Sequence, residues 1–92
     1  MTWDEYKAEA KARDPVTKQI LEQTEIEARV ISAIIKRRNE MGLSQQEVAE
    51  LCEISKSFVT RIESSKTMPK LDTLAKILAH LGLTVKITQR TE

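Results

Sequence analysis

A chain of 92 residues with a formal net charge of +1 has room for one domain and a short appended arm. Its single cysteine, Cys52, excludes an intramolecular disulfide and a cysteine metal cluster, and a lone thiol suits a reducing cytoplasm. No apolar run approaches a membrane span, and the opening MTWDEYKAEAKARD lacks the apolar centre of a secretory signal. Residues 1–35 carry five basic and seven acidic side chains, whereas residues 36–92 carry ten and seven. That asymmetry permits nucleic-acid binding by the second part without demonstrating it. Two glycines and two prolines, set among abundant Ala, Glu, Lys, Leu and Ile, predict a mostly helical protein.

In chain order, Thr2 and Glu5 have the spacing of a capping box, and Trp3, Tyr6 and Ala10 follow at helical spacing, predicting a short helix over about 3–12. Asp14-Pro15 reads as an N-cap followed by proline at the first helical position. From there to Met41 the apolar residues Val16, Ile20, Ile26, Val30, Ile31, Ile34 and Ile35 keep helical spacing, as one long helix or as two with a break near Thr24. Gly42 is a natural C-cap. Ser44 with Glu47 forms a second capping box, and Val48, Leu51 and Cys52 are the expected buried stripe of the helix it opens. A turn at Ile54-Ser55 leads into the next helix, and residues 64–69 form a loop. Leu71, Leu74, Ile77, Leu78 and Leu81 give a further helical stripe, closed by Gly82.

Finally, Leu83, Val85 and Ile87 alternate with Thr84, Lys86 and Thr88, the period-two pattern of a half-buried strand. A single strand leaves a row of unpaired N–H and C=O groups. Two solutions stand: pairing with the same strand of a second copy across a two-fold axis, with Leu83, Val85 and Ile87 at the dimer interface, or an extended tail packed on helices.

The stretch ISKSFVTRIESSK, residues 54–66, raises the question of function. At roughly 100° per residue, Phe58, Val59 and Ile62 share one sector and Lys56, Ser57, Thr60, Arg61 and Ser64 the opposite one. No acid sits in the middle of that second sector, and Glu63 lies at its margin. A solvated face usually mixes both signs. A face meant for phosphates and base edges excludes acids and favours short hydroxyls with Lys or Arg. The preceding helix sharpens the reading. Two short helices joined by a tight turn need a small residue where they touch, here Ala49. They also need apolar residues around the turn, here Val48, Cys52, Ile54, Val59 and Ile62. This is helix-turn-helix spacing.

GLSQQEVAELCEISKSFVTRIESSKTMPKLDTLAKIL, residues 42–78, resembles the XRE or lambda-repressor-like helix-turn-helix family. The Leu-Ser-Gln start, Ala49, the Arg61-Ile62-Glu63 end and the Pro-x-Leu-Asp-Thr-Leu segment at 69–74 carry the resemblance. It implies an all-α fold: a five-helix lambda-repressor-like domain with an N-terminal helical arm and a short C-terminal strand pairing across a dimer. It implies DNA contacts from Ser44, Gln45, Ser55, Lys56, Ser57, Thr60, Arg61 and Lys66. Gln45 would meet a phosphate, Lys56, Ser57, Thr60 and Arg61 would face the major groove, and Lys66 would reach the DNA backbone. It further implies a structural ion pair between Arg38 and Glu63, the alternative being that Arg38 is an ordinary surface cation. The chain departs from the family where glycine is usual in the turn and Glu53 stands instead, and where Ser64-Ser65 replaces a glycine-containing loop. A left-handed backbone at Glu53 would cost about 1–2 kcal/mol.

The whole layout also resembles HigA-type antitoxins of type II toxin–antitoxin modules, through the Trp-x-x-Tyr segment, the helical core and the final Leu-Gly-Leu-Thr-Val-Lys-Ile. That implies a cytoplasmic homodimer on a palindromic operator of double-stranded DNA and a second partner, a small basic HigB/RelE-type ribonuclease toxin. The implied division is a helical arm over 1–23 as candidate toxin-binding segment, a helix-turn-helix domain over 24–82, and a dimerisation strand and tail over 83–92. Trp3 and Tyr6 are the candidate toxin anchors, or simply tethers of the arm to the core. A stand-alone XRE-type regulator without a toxin is the alternative. Nothing points to an enzyme, a cofactor or a metal site. His80 lies on a leucine-rich helix as a spectator, Cys52 reads as a small core residue, and no phosphate-binding glycine loop or metal-ligand spacing occurs.

Overall fold

The computed structural model describes residues 15–89. The helix expected over 3–12 with its Trp3 and Tyr6, the Asp14 cap, and the Val16 side chain lie outside the described residues and side chains. Four helices follow one another: α1 (Pro15–Glu40), α2 (Gln45–Cys52), α3 (Lys56–Glu63) and α4 (Leu71–His80).

Two expectations are corrected. Four helices are present among the described residues, not five. The stretch over 15–40 is one helix, because Thr24 does not break it: its hydroxyl donates back to the Ile20 carbonyl at 2.9 Å, inside the helical ladder. The C-terminal strand is also absent among the described residues, since 83–89 has no regular structure. The alternation of Leu83, Val85 and Ile87 is real, but among the described residues no second strand offers its N–H and C=O groups. Leu83 alone packs on the core, while Val85 and Ile87 are 57% and 93% exposed.

The core is built from the second half of α1 and one stripe of each later helix. Ile31 and Ile34 of α1 meet Val48, Ala49 and Cys52 of α2, Val59 and Ile62 of α3, and Ile77 and Leu78 of α4, with Leu81 closing the end. Ala49 is 1% exposed, at the small-residue position where α2 and α3 meet. Some expected stripe members lie outside the core. Ile20, Ile26, Leu51 and Leu71 are all exposed.

All four helices end in the same way. One or two residues after each helix end the backbone turns left-handed, at Gly42 (φ 69°), Glu53 (φ 57°), Ser65 (φ 63°) and Gly82 (φ 68°). The next N–H then reaches back five residues: Leu43 to Arg38, Ile54 to Ala49, Lys66 to Arg61 and Leu83 to Leu78, at 2.8–3.0 Å. This is the Schellman arrangement, in which the residue after the turn commonly makes an apolar contact. Leu43, Ile54 and Leu83 do so here, each packing on the core. The repeated stop ends α2 at Cys52 and α3 at Glu63, with three residues between the two helices.

Candidate nucleic-acid interface

Helix α3 is positioned from both ends. Its N-cap, Ser55, accepts the Phe58 N–H at 3.1 Å. Its apolar sector is buried through Val59 and Ile62, with Phe58 half-buried beside them. That fixes the rotation of the helix, so Lys56, Ser57, Thr60, Arg61 and Ser64 all stand on the exposed side. Helix α2 enters through a complete capping box. Ser44 Oγ accepts the Glu47 N–H at 3.0 Å, and the Ser44 N–H donates to Glu47 Oε1 at 3.0 Å. Ser44 and Ser55 thus spend acceptor capacity on helix caps, and each hydroxyl keeps its own proton to donate.

Behind the exposed face lies a closed polar network. Arg38 of α1 grips Glu63 with two parallel bonds, Nε to Oε2 at 2.8 Å and Nη2 to Oε1 at 2.9 Å, and its Nη1 donates to the Leu43 carbonyl at 2.8 Å. The Arg38 and Glu63 side chains are 14% and 7% exposed, so water screens the pair weakly. The hydrogen bonds that Arg38 donates to Glu63 hold its guanidinium above the ordinary pKa, and partial burial opposes them. Gln45 Nε2 also donates to Glu63 Oε1, at 3.1 Å, and Thr60 Oγ1 donates to Gln45 Oε1 at 2.7 Å. The one acid on α3 is therefore turned inward and occupied, and the outward face offers hydroxyls and cations.

The structure brings Gln45, Lys56, Ser57, Thr60 and Arg61 together on the α2–α3 surface, and puts Lys66 on the exposed loop that follows. Leu83, Val85 and Ile87 lie on the C-terminal segment. The bond from Thr60 to Gln45 has no counterpart in the sequence alone, because nothing in residues 15 apart announces it. The same holds for Arg37, whose Nε donates to the Leu81 carbonyl at 2.8 Å. Cys52 is fully buried. Burial pushes its thiol pKa up, with nearby Lys76 opposing, so it stays a protonated core side chain at neutral pH. Among the described residues no group of side chains could hold a metal ion, and no helix is long and apolar enough to cross a membrane.

Two short helices at a tight left-handed turn, the second with a buried apolar sector and an outward cationic one, define the helix-turn-helix class of DNA-binding regulators. Comparison with known proteins agrees. The sequence pattern of the Helix-turn-helix family matches residues 34–87, and the chain belongs to that family. It is 33% identical over 67 residues to an uncharacterised HTH-type transcriptional regulator of Haemophilus influenzae, across 73% of this chain and 68% of that protein. It is 35% identical over 82 residues to Antitoxin HigA1 of Mycobacterium tuberculosis, across 89% of this chain and 55% of that protein. The chain thus spans little more than half the length of that antitoxin. A solved chain described as a toxin–antitoxin module from Streptococcus pneumoniae superposes with a TM-score of 0.73 at 33% identity, covering 98% of this chain and 94% of that one.

Proposed function

We propose that this protein is a sequence-specific DNA-binding antitoxin that represses its own operon and neutralises a HigB/RelE-type ribonuclease toxin. The observation that carries the DNA-binding half is the outward face of α3, from which the only carboxylate has been withdrawn into the pair with Arg38. The toxin half is supported by likeness over nearly the whole chain to the pneumococcal toxin–antitoxin structure. In this reading Lys56, Ser57, Thr60 and Arg61 face the major groove. Ser44, Gln45, Ser55 and Lys66 contact the phosphates. The helix-turn-helix domain occupies 24–82, and the arm over 1–23, which leans acidic and carries Trp3 and Tyr6, holds the basic toxin.

The operator is a near-palindrome bound by two copies, whose recognition helices enter successive major grooves about 34 Å apart. Residues 83–92 form the contact between copies. Val85 and Ile87 are exposed, and Val85 borders a shallow apolar groove with Val30, Ala33, Leu78 and Leu83. The experiment is a mobility shift of the protein's own promoter fragment, with and without the protein encoded by the adjacent reading frame. A specific shift, together with a stable complex that weakens on deletion of residues 1–13, is expected. A stable complex with undiminished affinity after that deletion removes the arm from the interface. A second reading, a stand-alone regulator, draws on the likeness to the Haemophilus regulator. It predicts the same shift with no small basic protein encoded next door.

A further inference from the structure

The network behind α3 has a direction, and that direction ends at the DNA-facing surface. Arg38 has only donors, and it presents two of them to Glu63. The Glu63 carboxylate has only acceptors, so whatever else approaches it must donate. Gln45 is the group that does, and its carboxamide can donate only through Nε2, at 3.1 Å. With Nε2 turned to Glu63, Gln45 Oε1 is turned to Thr60, and an amide oxygen only accepts. The single proton of the Thr60 hydroxyl is therefore committed to Gln45, at 2.7 Å. A hydroxyl ordinarily donates or accepts as its surroundings ask. Here each link removes one choice, and the exposed Thr60 oxygen is left with lone pairs alone.

We propose that Thr60 is a specificity-determining residue of fixed polarity: through Gln45, Glu63 and Arg38 its hydroxyl is made an acceptor only, so that α3 selects an exocyclic amino group, adenine N6 or cytosine N4, at the base it meets. In the major groove those amino groups are the donors, while purine N7, guanine O6 and thymine O4 are acceptors. A free threonine hydroxyl would serve either kind. The locked one rejects the acceptors, because two lone pairs would face each other. Gln45 and Arg38 are positioning residues in this scheme. Gln45 retains one uncommitted Nε2 proton, the one available to a phosphate. The inference rests on the reading of α3 as the groove-facing helix.

The test begins with selection of bound duplexes from a random pool by the wild-type protein, Thr60→Val and Thr60→Ser. Thr60→Val keeps the shape and removes the hydroxyl, and is expected to erase the preference at one base pair per half-site; Thr60→Ser is expected to keep it. At that base pair the amino group is then deleted by placing purine for adenine or 2-pyrimidinone for cytosine. The wild type is expected to lose about five- to tenfold in affinity, the scale of one hydrogen bond, and Thr60→Val less than about twofold. Replacing N7 by C–H at the same position is expected to affect both proteins equally. Gln45→Leu releases the hydroxyl, and is expected to admit acceptor-bearing bases there while Thr60 remains. A Thr60-dependent loss on removal of N7, or a Thr60→Val selection profile identical to wild type, overturns the polarity assignment and leaves DNA binding intact. Failure of the wild type to retain any duplex overturns both.

Discussion

Arg61 and Lys66 are both exposed cations within five positions of each other, yet they stand on different parts of the molecule. Arg61 projects from α3, whose rotation is fixed by buried Val59 and Ile62, whereas Lys66 follows the left-handed Ser65 in the loop. A side chain on a fixed helix can choose a base; one on a loop is suited to the phosphate that any sequence provides. Arg61→Ala should relax preference at about one base pair and cost roughly 1–3 kcal/mol there. Lys66→Ala should weaken all sequences alike and lower the slope of log affinity against log salt by about one. Fluorescence anisotropy on a set of single-base operator variants, repeated across a salt series, separates the two. A uniform loss on Arg61→Ala would reverse the roles. At this scale the sequence was informative about residue types and faces. It was silent on which of the polar side chains bond to one another, since the Gln45–Thr60 bond depends on how α2 and α3 cross.

Each helix stop uses a left-handed residue, but two of the four stops are glycine and two are not. Gly42 and Gly82 adopt the conformation without a side-chain penalty, while Glu53 and Ser65 hold it at φ 57° and 63°. Glu53→Gly and Ser65→Gly should each raise stability. The relief of strain, reduced by the extra freedom glycine gives the unfolded chain, leaves a gain of about 0.5–1 kcal/mol. Gly42→Ala should lower it by about 1 kcal/mol from backbone strain alone, because a Cβ there meets nothing within 4 Å. Urea titration of the variants decides, and an unchanged midpoint for Glu53→Gly would mean that its backbone is relaxed as it stands. Several elements were legible: the capping box at Ser44 and the stripe of α4 follow from spacing, and the turn position at Glu53 came from the family resemblance. What spacing cannot give is the width of the covered face. Leu51 and Leu71 fit a helical stripe as well as Val48 or Leu74 do, yet they are exposed. The period-two run at 83–88 likewise marks a side-chain alternation, while a strand also requires a partner edge.

Over the whole molecule, the proposed assembly of two copies depends on a segment that contributes little to the core of one. Leu83 packs inward, and Val85 and Ile87 do not. The double variant Val85→Glu with Ile87→Glu should therefore leave the fold of the single chain unchanged by circular dichroism. It should shift sedimentation from two copies to one and weaken the full operator far more than a single half-site. Retention of the two-copy species would remove residues 83–92 from the interface. Adjacent residues of α1 hold the end of α4, just before this segment, and α3. Arg37 holds the Leu81 carbonyl where α4 ends, and Arg38 holds Glu63 on α3 together with the Leu43 carbonyl. One turn of α1 thus ties the end of α4, next to the proposed joint between copies, to α3, the proposed reading helix. In the proposed pair, any rigidity in the span between the two heads would come from this end of α1, since residues 83–89 have no regular structure of their own, and a duplex whose half-sites are out of phase would be met by that segment before it is met by α3.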